Sequence, residues 1–345
     1  MSPAERSGIV YRMSWFEAPA RPTETWKEHI IASDIEAVRH FVGAADLDND
    51  GDTDVVSSEM HQGRDPDDIS VYWKVDQGKR WIDDTISREG SHSMRLADVD
   101  QDGDIDFFGA NWSGKHQQLE PWTNNSCPSL GPWRRWVIDE KRPGRAVFVE
   151  SADPDGDGLF DVAAGDWWYR NPARLERSWD RKAFGNTFDQ MAAIVDVDGD
   201  GALDVIGTAG ESELKASTFM LARNDGKGSF EIVGPIAEAH GDFLLGTAGL
   251  PAADPTPFAI ALPWHAPDRG IELLQPDSEA SGSWRRKQIS NVSQDEALSA
   301  GDIDQDGDLE LLLGTKWLRN DGEAWSTVKL AADQQQQRQK PPRRH

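Results

Sequence analysis

A chain of 345 residues with 37% hydrophobic content, 31 glycines and 19 prolines can build a core but must turn often. A formal net charge of −25 argues against a nucleic-acid or anionic-membrane partner. The single cysteine, Cys127, excludes an internal disulfide framework, and no apolar run reaches the ~18 residues that would span a bilayer.

The opening segment, MSPAERSGIVYRMSWFEAP, lacks the apolar core of a signal peptide. It leads into an aromatic-rich hairpin, SWFEAPARPTETWKEHII, with two short strands about a Pro/Ala turn. Next comes ADLDNDGDTDVV from Ala45, an acidic loop running into an apolar strand, and then a second hairpin, SVYWKVDQGKRWIDDTI. The pattern recurs. ADVDQDGDIDFF begins at Ala97, ADPDGDGLFDVA at Ala152, VDVDGDGALDVI at Val195 and GDIDQDGDLELL at Gly301. Between the last two, AGLPAADPTPFAIAL keeps the hydrophobic frame without the acids, and is expected to be a sixth, degenerate copy beginning at Gly249. Further hairpins are expected at WWYRNPARLERSWDRKAF and KWLRNDGEAWSTVKL, with looser ones near Trp122–Ile138, Phe219–Val233 and Ile271–Ile289.

One unit is therefore strand, acidic loop, strand and hairpin, or four strands in about 50 residues, which predicts an all-β β-propeller of four-stranded antiparallel blades. Six inner pairs face seven hairpins, because the first hairpin, Trp15–Ile31, has no inner pair before it. Seven blades with one incomplete, or six blades and an extra hairpin, both fit. The propeller is expected over residues 9–330 as one domain, and AADQQQQRQKPPRRH after Leu330 reads as a disordered polar tail. Trp26, Trp81, Trp136, Trp179, Trp284 and Trp325 fall on outer hairpin strands, where packing between blades is expected.

The five intact loops share D-x-D-x-D-G-x-x-D/E. In the first, Asp46, Asp48 and Asp50 stand at positions one, three and five. Asp52 stands at seven, where the backbone carbonyl is the donor, and Asp54 at nine. The others supply Asp98, Asp100, Asp102, Asp104 and Asp106; Asp153, Asp155, Asp157 and Asp161; Asp196, Asp198, Asp200 and Asp204; and Asp302, Asp304, Asp306, Asp308 and Glu310. Such spacing wraps oxygens around a hard cation of Ca²⁺ size, whereas Mg²⁺ keeps more of its waters. An EF-hand is excluded: position twelve is Ser57, Gly109, Ala164, Gly207 or Leu313, not Glu, and strand-like residues follow. Five divalent ions would offset much of the excess negative charge. A set of solvated Asp-Gly turns is the plainer reading of any one copy; five in register favour calcium.

If each loop joins the inner strand to the next one out, the residues at the far ends of those strands share the opposite face. Counting from the loops places His40, His61, His92, His240 and His265 there. Glu59, Arg95, Asn111, Trp112, Arg145 and Asp166 fall near them, as do Trp167, Trp264, Asp295, Glu296 and Lys316. Indole faces stack on sugar rings while carboxylates and Arg fix hydroxyls; a His/Asp/Glu cluster could also hold an additional divalent metal or exchange protons.

On these loops the chain resembles the FG-GAP/VCBS repeats of integrin-α-type β-propellers. The resemblance implies structural calcium on the lower face and a protein or sugar ligand, with lyase activity in a minority of members. Two segments, GSHSMRLADVDQDGDIDFFGANW and SQDEALSAGDIDQDGDLELLLGTKWLRNDG, more narrowly resemble the propeller of aldos-2-ulose dehydratase-type proteins. That would imply metal-assisted water elimination from a keto- or anhydro-sugar, with His61, His92 or His265 as metal ligand or base. A carbohydrate or protein ligand, a sugar lyase and a purely structural interaction module are the three expectations. Loops of this kind suit the millimolar calcium found outside the cytosol, which favours an extracellular or periplasmic place; the opening segment points the other way.

Overall fold

The computed structural model describes residues 10–36, 39–60, 67–125, 133–185, 188–212, 215–244, 246–251, 258–265, 269–277, 284–293, 298–322 and 324–330. Among them there is no helix. The chain opens with a two-stranded antiparallel sheet, β1 (Val10–Glu17) and β2 (Lys27–Glu36). Six four-stranded sheets follow, each running in chain order from its inner strand outward. Blade 1 is β3 (Arg39–Ala45), β4 (Asp54–Glu59), β5 (Ile69–Val75) and β6 (Arg80–Ser87). Blade 2 is β7 (Ser93–Ala97), β8 (Asp106–Ala110), β9 (Leu119–Thr123) and β10 (Arg134–Arg135); blade 3 is β11 (Val149–Ala152), β12 (Asp161–Ala164), β13 (Trp167–Arg170) and β14 (Asp180–Ala183). Blade 4 is β15 (Gln190–Val195), β16 (Asp204–Ser212), β17 (Lys215–Asn224) and β18 (Phe230–Asp242); blade 5 is β19 (Ala248–Pro251), β20 (Phe258–Pro263), β21 (Ile271–Pro276) and β22 (Trp284–Ser290). Blade 6 is β23 (Ser299–Gly301), β24 (Glu310–Leu313), β25 (Lys316–Asn320) and β26 (Trp325–Lys329). The degenerate copy at Gly249 thus forms its strand pair, β19 and β20, without the repeated acids of the other loops.

Inner strands touch inner strands from blade to blade, β3 to β7 to β11 to β15 and β19 to β23, which arranges the sheets as a propeller ring. The extra hairpin, β1 and β2, forms a two-stranded sheet of its own that touches both the last and the first full blade. The Trp26 amide donates to the Leu330 carbonyl at 3.1 Å, just past blade 6, and β2 contacts β6 of blade 1. The first hairpin therefore lies between the last and first full blades, at the place of a seventh. The tail beyond Leu330 lies outside the described residues.

The core is the set of blade-to-blade seams, and period-two alternation builds it. On β8, Phe107 faces blade 1 and packs with Leu47, Val56 and Trp73, while its neighbour Phe108 faces blade 3 and packs with Val149, Val162 and Tyr169. Both rings are fully buried, and removing either would cost about 3–5 kcal/mol. The next seam joins Trp168 and Phe184 of blade 3 to Met191 and Val205 of blade 4, and its cluster continues through Phe219 to Trp264 of blade 5. Leu250, Leu273, Leu311 and Leu318 close the seam between blades 5 and 6. Of the outer tryptophans, Trp179 is buried in the seam between blades 2 and 3, and Trp284 and Trp325 pack partly against their neighbouring seams.

Candidate functional site

Each acidic loop leaves an inner strand and enters the next, so all five lie at one end of the strands. Position one accepts from the backbone further along its own loop. The Asp46 carboxylate takes Asp50 N at 3.1 Å and Gly51 N at 3.0 Å; Asp98 takes Asp102 N and Gly103 N at 3.1 Å each; Asp153 takes Asp157 N at 3.1 Å and Gly158 N at 2.8 Å. These bonds curl the chain so that the other carboxylates converge. The glycine at position six has φ between 86° and 98° in all five loops, as a left-handed turn requires. Position four is left-handed too: Asn49, Gln101 and Gln305 adopt φ of 58–61°, and loops three and four carry glycine there, Gly156 at 69° and Gly199 at 79°.

In every loop three acids bring one oxygen each within 4.8 Å of the others, so each could hold a metal ion. Loops one, three and five do this with positions one, three and five; loops two and four use positions one, three and nine. Buried carboxylate oxygens of Asp155, Asp161, Asp304 and Glu310 have no hydrogen-bond donor. Crowded carboxylates with buried, unsatisfied oxygens suit a hard divalent cation with oxygen ligands.

Position nine does more than close the loop. Asp54 accepts from Leu47 N at 3.2 Å and Lys74 N at 2.7 Å, and Asp106 from Val99 N at 2.9 Å and Asn124 N at 2.7 Å. Asp204 repeats the pair with Val197 N and Asn224 N. This carboxylate ties the loop to the end of the third strand of its own blade. Burial pushes Asp54 up to about 6 and Asp106 and Asp161 up to about 7, against the backbone donors that pull them down.

The third-strand residue that binds position nine is an asparagine in blades 2, 3, 4 and 6, and sequence reasoning missed it. In blades 2, 3 and 4 its side chain reaches back one blade, whereas Asn320 Nδ2 of blade 6 donates to Leu309 O of its own loop. Asn171 Nδ2 donates to Val99 O of the second loop at 3.0 Å, Asn224 Nδ2 to Pro154 O of the third at 2.7 Å, and Asn124 Nδ2 to Leu47 O of the first at 2.5 Å. Two side chains at position four also cross between loops: Asn49 Nδ2 donates to Asp104 Oδ1 and Gln101 Nε2 to Gly158 O, each at 2.6 Å. The signal was the recurring Asn at one offset after the third strand, as in YRNP, ARND and LRND.

At the other ends of the strands lies a cavity of about 320 Å³ on the ring axis, lined by inner-strand residues of blades 1, 2, 3 and 6 and by Gly246 and Thr247. His40 and His92 line it, their rings in tilted contact with centroids 4.5 Å apart. His92 meets the edge of Trp112 at 6.1 Å, and the Arg145 guanidinium lies 5.2 Å from the Trp112 ring. Four expected rim residues from three consecutive blades are thus in one line of contacts. Arg95 also lines the cavity, held by both Glu150 oxygens, with Nε to Oε2 at 3.0 Å. Glu150 lines it too and was not anticipated; a lone Glu on an inner strand gives no motif.

Other expected rim residues are placed differently. Glu59 is buried and paired with Arg39 at 3.0 Å. Asn111 is buried, its amide donating to the carbonyls of Glu89, Gly90 and His116. Trp264 is fully buried, its indole N–H donating to Glu272 at 2.9 Å, which makes it core rather than rim. His240 lies on β18, the outermost strand of blade 4, beside Glu272, Arg269 and Arg286 of blade 5. His265 lies tilted against Phe243, with centroids 5.8 Å apart. Asp166 occupies the turn between β12 and β13, Trp167 packs under Arg181 at 4.9 Å, and Lys316 opens β25. His61, Asp295 and Glu296 lie outside the described residues.

Residues 46–109, from the first acidic loop into the strand after the second, match the FG-GAP-like repeat family. No curated protein matches the chain. Among solved structures, the V. cholerae biofilm matrix protein Bap1 is 15% identical over 85% of this chain and 44% of its own, with a TM-score of 0.45. Rhamnogalacturonan lyase YesW is 14% identical over 94% of this chain and 61% of its own, TM-score 0.42. The Bacillus licheniformis rhamnogalacturonan lyase PL11 is 13% identical over 94% and 62%, TM-score 0.42. The chain spans 44–62% of the length of these structures.

Proposed function

We propose that this chain is a calcium-stabilised β-propeller that binds a carbohydrate or a protein loop at the end of the ring opposite its acidic loops. One observation carries the reading: the contact line His40, His92, Trp112 and Arg145 beside an axial cavity. It joins flat aromatic surface to cationic and imidazole donors, the combination that stacks on a sugar ring and fixes its hydroxyls or a carboxylate. The acidic loops supply rigidity at the other end, where Ca²⁺ would be held by positions one, three and five together with the position-seven carbonyl and position nine. A glycan array probed with the full chain, with and without chelator, tests it. Binding to a defined glycan that is lost in Trp112→Ala at unchanged melting temperature is the expected result; no binding on glycan or peptide arrays removes the ligand-face reading.

A sugar lyase of the aldos-2-ulose dehydratase type is the second reading. Its support is His92 at the cavity, with Nδ1 2.9 Å from Ser93 Oγ, which in turn donates to Val147 O. His265 packs on Phe243 instead, so the two described candidates do not form one cluster. Turnover of 1,5-anhydrofructose that disappears in His92→Ala would favour the lyase over a binding module.

A further inference from the structure

We propose that Arg170, Arg223 and Arg319 divide the five acidic loops into two classes of calcium site, with loops one and two tight and loops three, four and five weak. The proposal rests on the calcium reading given above. These arginines occupy one structural position, immediately before the third-strand asparagine that anchors each loop: Arg170 before Asn171, Arg223 before Asn224, Arg319 before Asn320. Each turns its guanidinium onto position three of its own blade's loop. Arg170 Nε lies 2.5 Å from Asp155 Oδ2 and its Nη2 2.9 Å from Asp157, so it bridges two prospective ligands. Arg223 Nη1 lies 3.3 Å from Asp198 Oδ2, and Arg319 Nε 2.8 Å from Asp304 Oδ2.

Loops one and two lack this cation. The equivalent residues are Trp73 and Thr123. Lys74 does reach loop one, but at the Asp52 side chain, position seven, which offers a metal its backbone carbonyl instead. Among the described residues no Lys or Arg pairs with Asp98, Asp100 or Asp102 of loop two.

An ion entering loops three to five must displace the guanidinium from position three or share that carboxylate with it. Displacement forfeits an ion pair; sharing sets a single positive charge within a few ångströms of a double one, and both weaken binding. The guanidiniums are 36–52% exposed, which leaves them room to swing aside. They also act as resident counter-charges, so the ion-free loops three to five are less repulsive than loops one and two.

The test is calcium titration by calorimetry on the full chain, stripped with chelator and dialysed, alongside Arg170→Gln, Arg223→Gln and Arg319→Gln. The wild type should show two tight sites and three that are about tenfold weaker or more. Each substitution should move one site from the weak class to the tight one. Melting gives a second readout: each variant should melt lower than wild type in chelator and recover in saturating calcium. An arginine with a merely structural role would lower both temperatures alike. Five equivalent sites, or variants that bind calcium more weakly, overturn the division while leaving calcium binding intact. No calcium heat at all removes the calcium reading, and the division with it.

Discussion

The side-chain amide of Asn171 in blade 3 donates to the carbonyl of Val99 in the second acidic loop, 3.0 Å away across the seam between blades. The same amide donates to Phe160 O at 2.9 Å, so one side chain satisfies two carbonyls on neighbouring loops. Asn171→Ala should therefore destabilise the ring by about 1–3 kcal/mol, because truncation leaves acceptors without a donor in a buried place. The backbone N–H that holds Asp161 at 2.6 Å is retained, so the loop itself should persist. Urea denaturation of the purified variant measures the loss; a midpoint equal to wild type would show that water replaces the amide at no cost.

Calcium should raise thermal stability by mass action, by about 2.7 kcal/mol for each site when free calcium is a hundredfold above its dissociation constant. Chelator should lower the melting temperature, and Asp98→Asn with Asp100→Asn should reduce the bound stoichiometry by one, as read by elemental analysis. Identical melting in chelator and in calcium, with no metal retained, would contradict the reading.

Two glycines make opposite predictions. A Cβ on Gly207 would lie 1.8 Å from Phe188 Cδ1 and 2.6 Å from Gln190 O, in the closely packed seam of blade 4, whereas one on Gly249 would meet nothing within 4 Å. Gly207→Ala should cost about 1–3 kcal/mol or more through overpacking, and Gly249→Ala should fall within about 0.5 kcal/mol of wild type. Thermal melts of the two variants side by side test the packing.

At the cavity, Arg145→Ala should weaken binding of whatever ligand the array returns while leaving the melting temperature within a degree or two. Its guanidinium lies over Trp112, a cation–π contact worth about 0.5–1 kcal/mol when exposed. Surface plasmon resonance with the identified glycan or peptide reads the effect. Unchanged affinity in both Arg145→Ala and Trp112→Ala would place the ligand elsewhere on the ring.

The blade pattern was legible because short apolar strands, acidic loops and aromatic hairpins recur in one order, although strands such as β4 and β8 are buried on both faces. Even Gly249–Leu262, which lacks the D-x-D-x-D-G run and keeps one acid, Asp254, formed its pair. The rim was legible only in part. Counting along strands picked out His40, His92 and Arg95, which line the cavity. It could not tell an open indole from a buried one, since Trp112 and Trp264 stand at like offsets yet only Trp264 is walled in by Phe219 and bonded to Glu272. Contacts between blades were invisible for the same reason: Asn171 and Val99 are 72 residues apart, and nothing local marks them as partners.

The bond between Trp26 and Leu330 has a temporal consequence. β1 and β2 find both their neighbours only once the chain around Leu330, some three hundred residues further along, has formed, a contact of very high sequence separation. Until then the hairpin keeps one flank bare, so the seam between it and blade 6 closes late in folding.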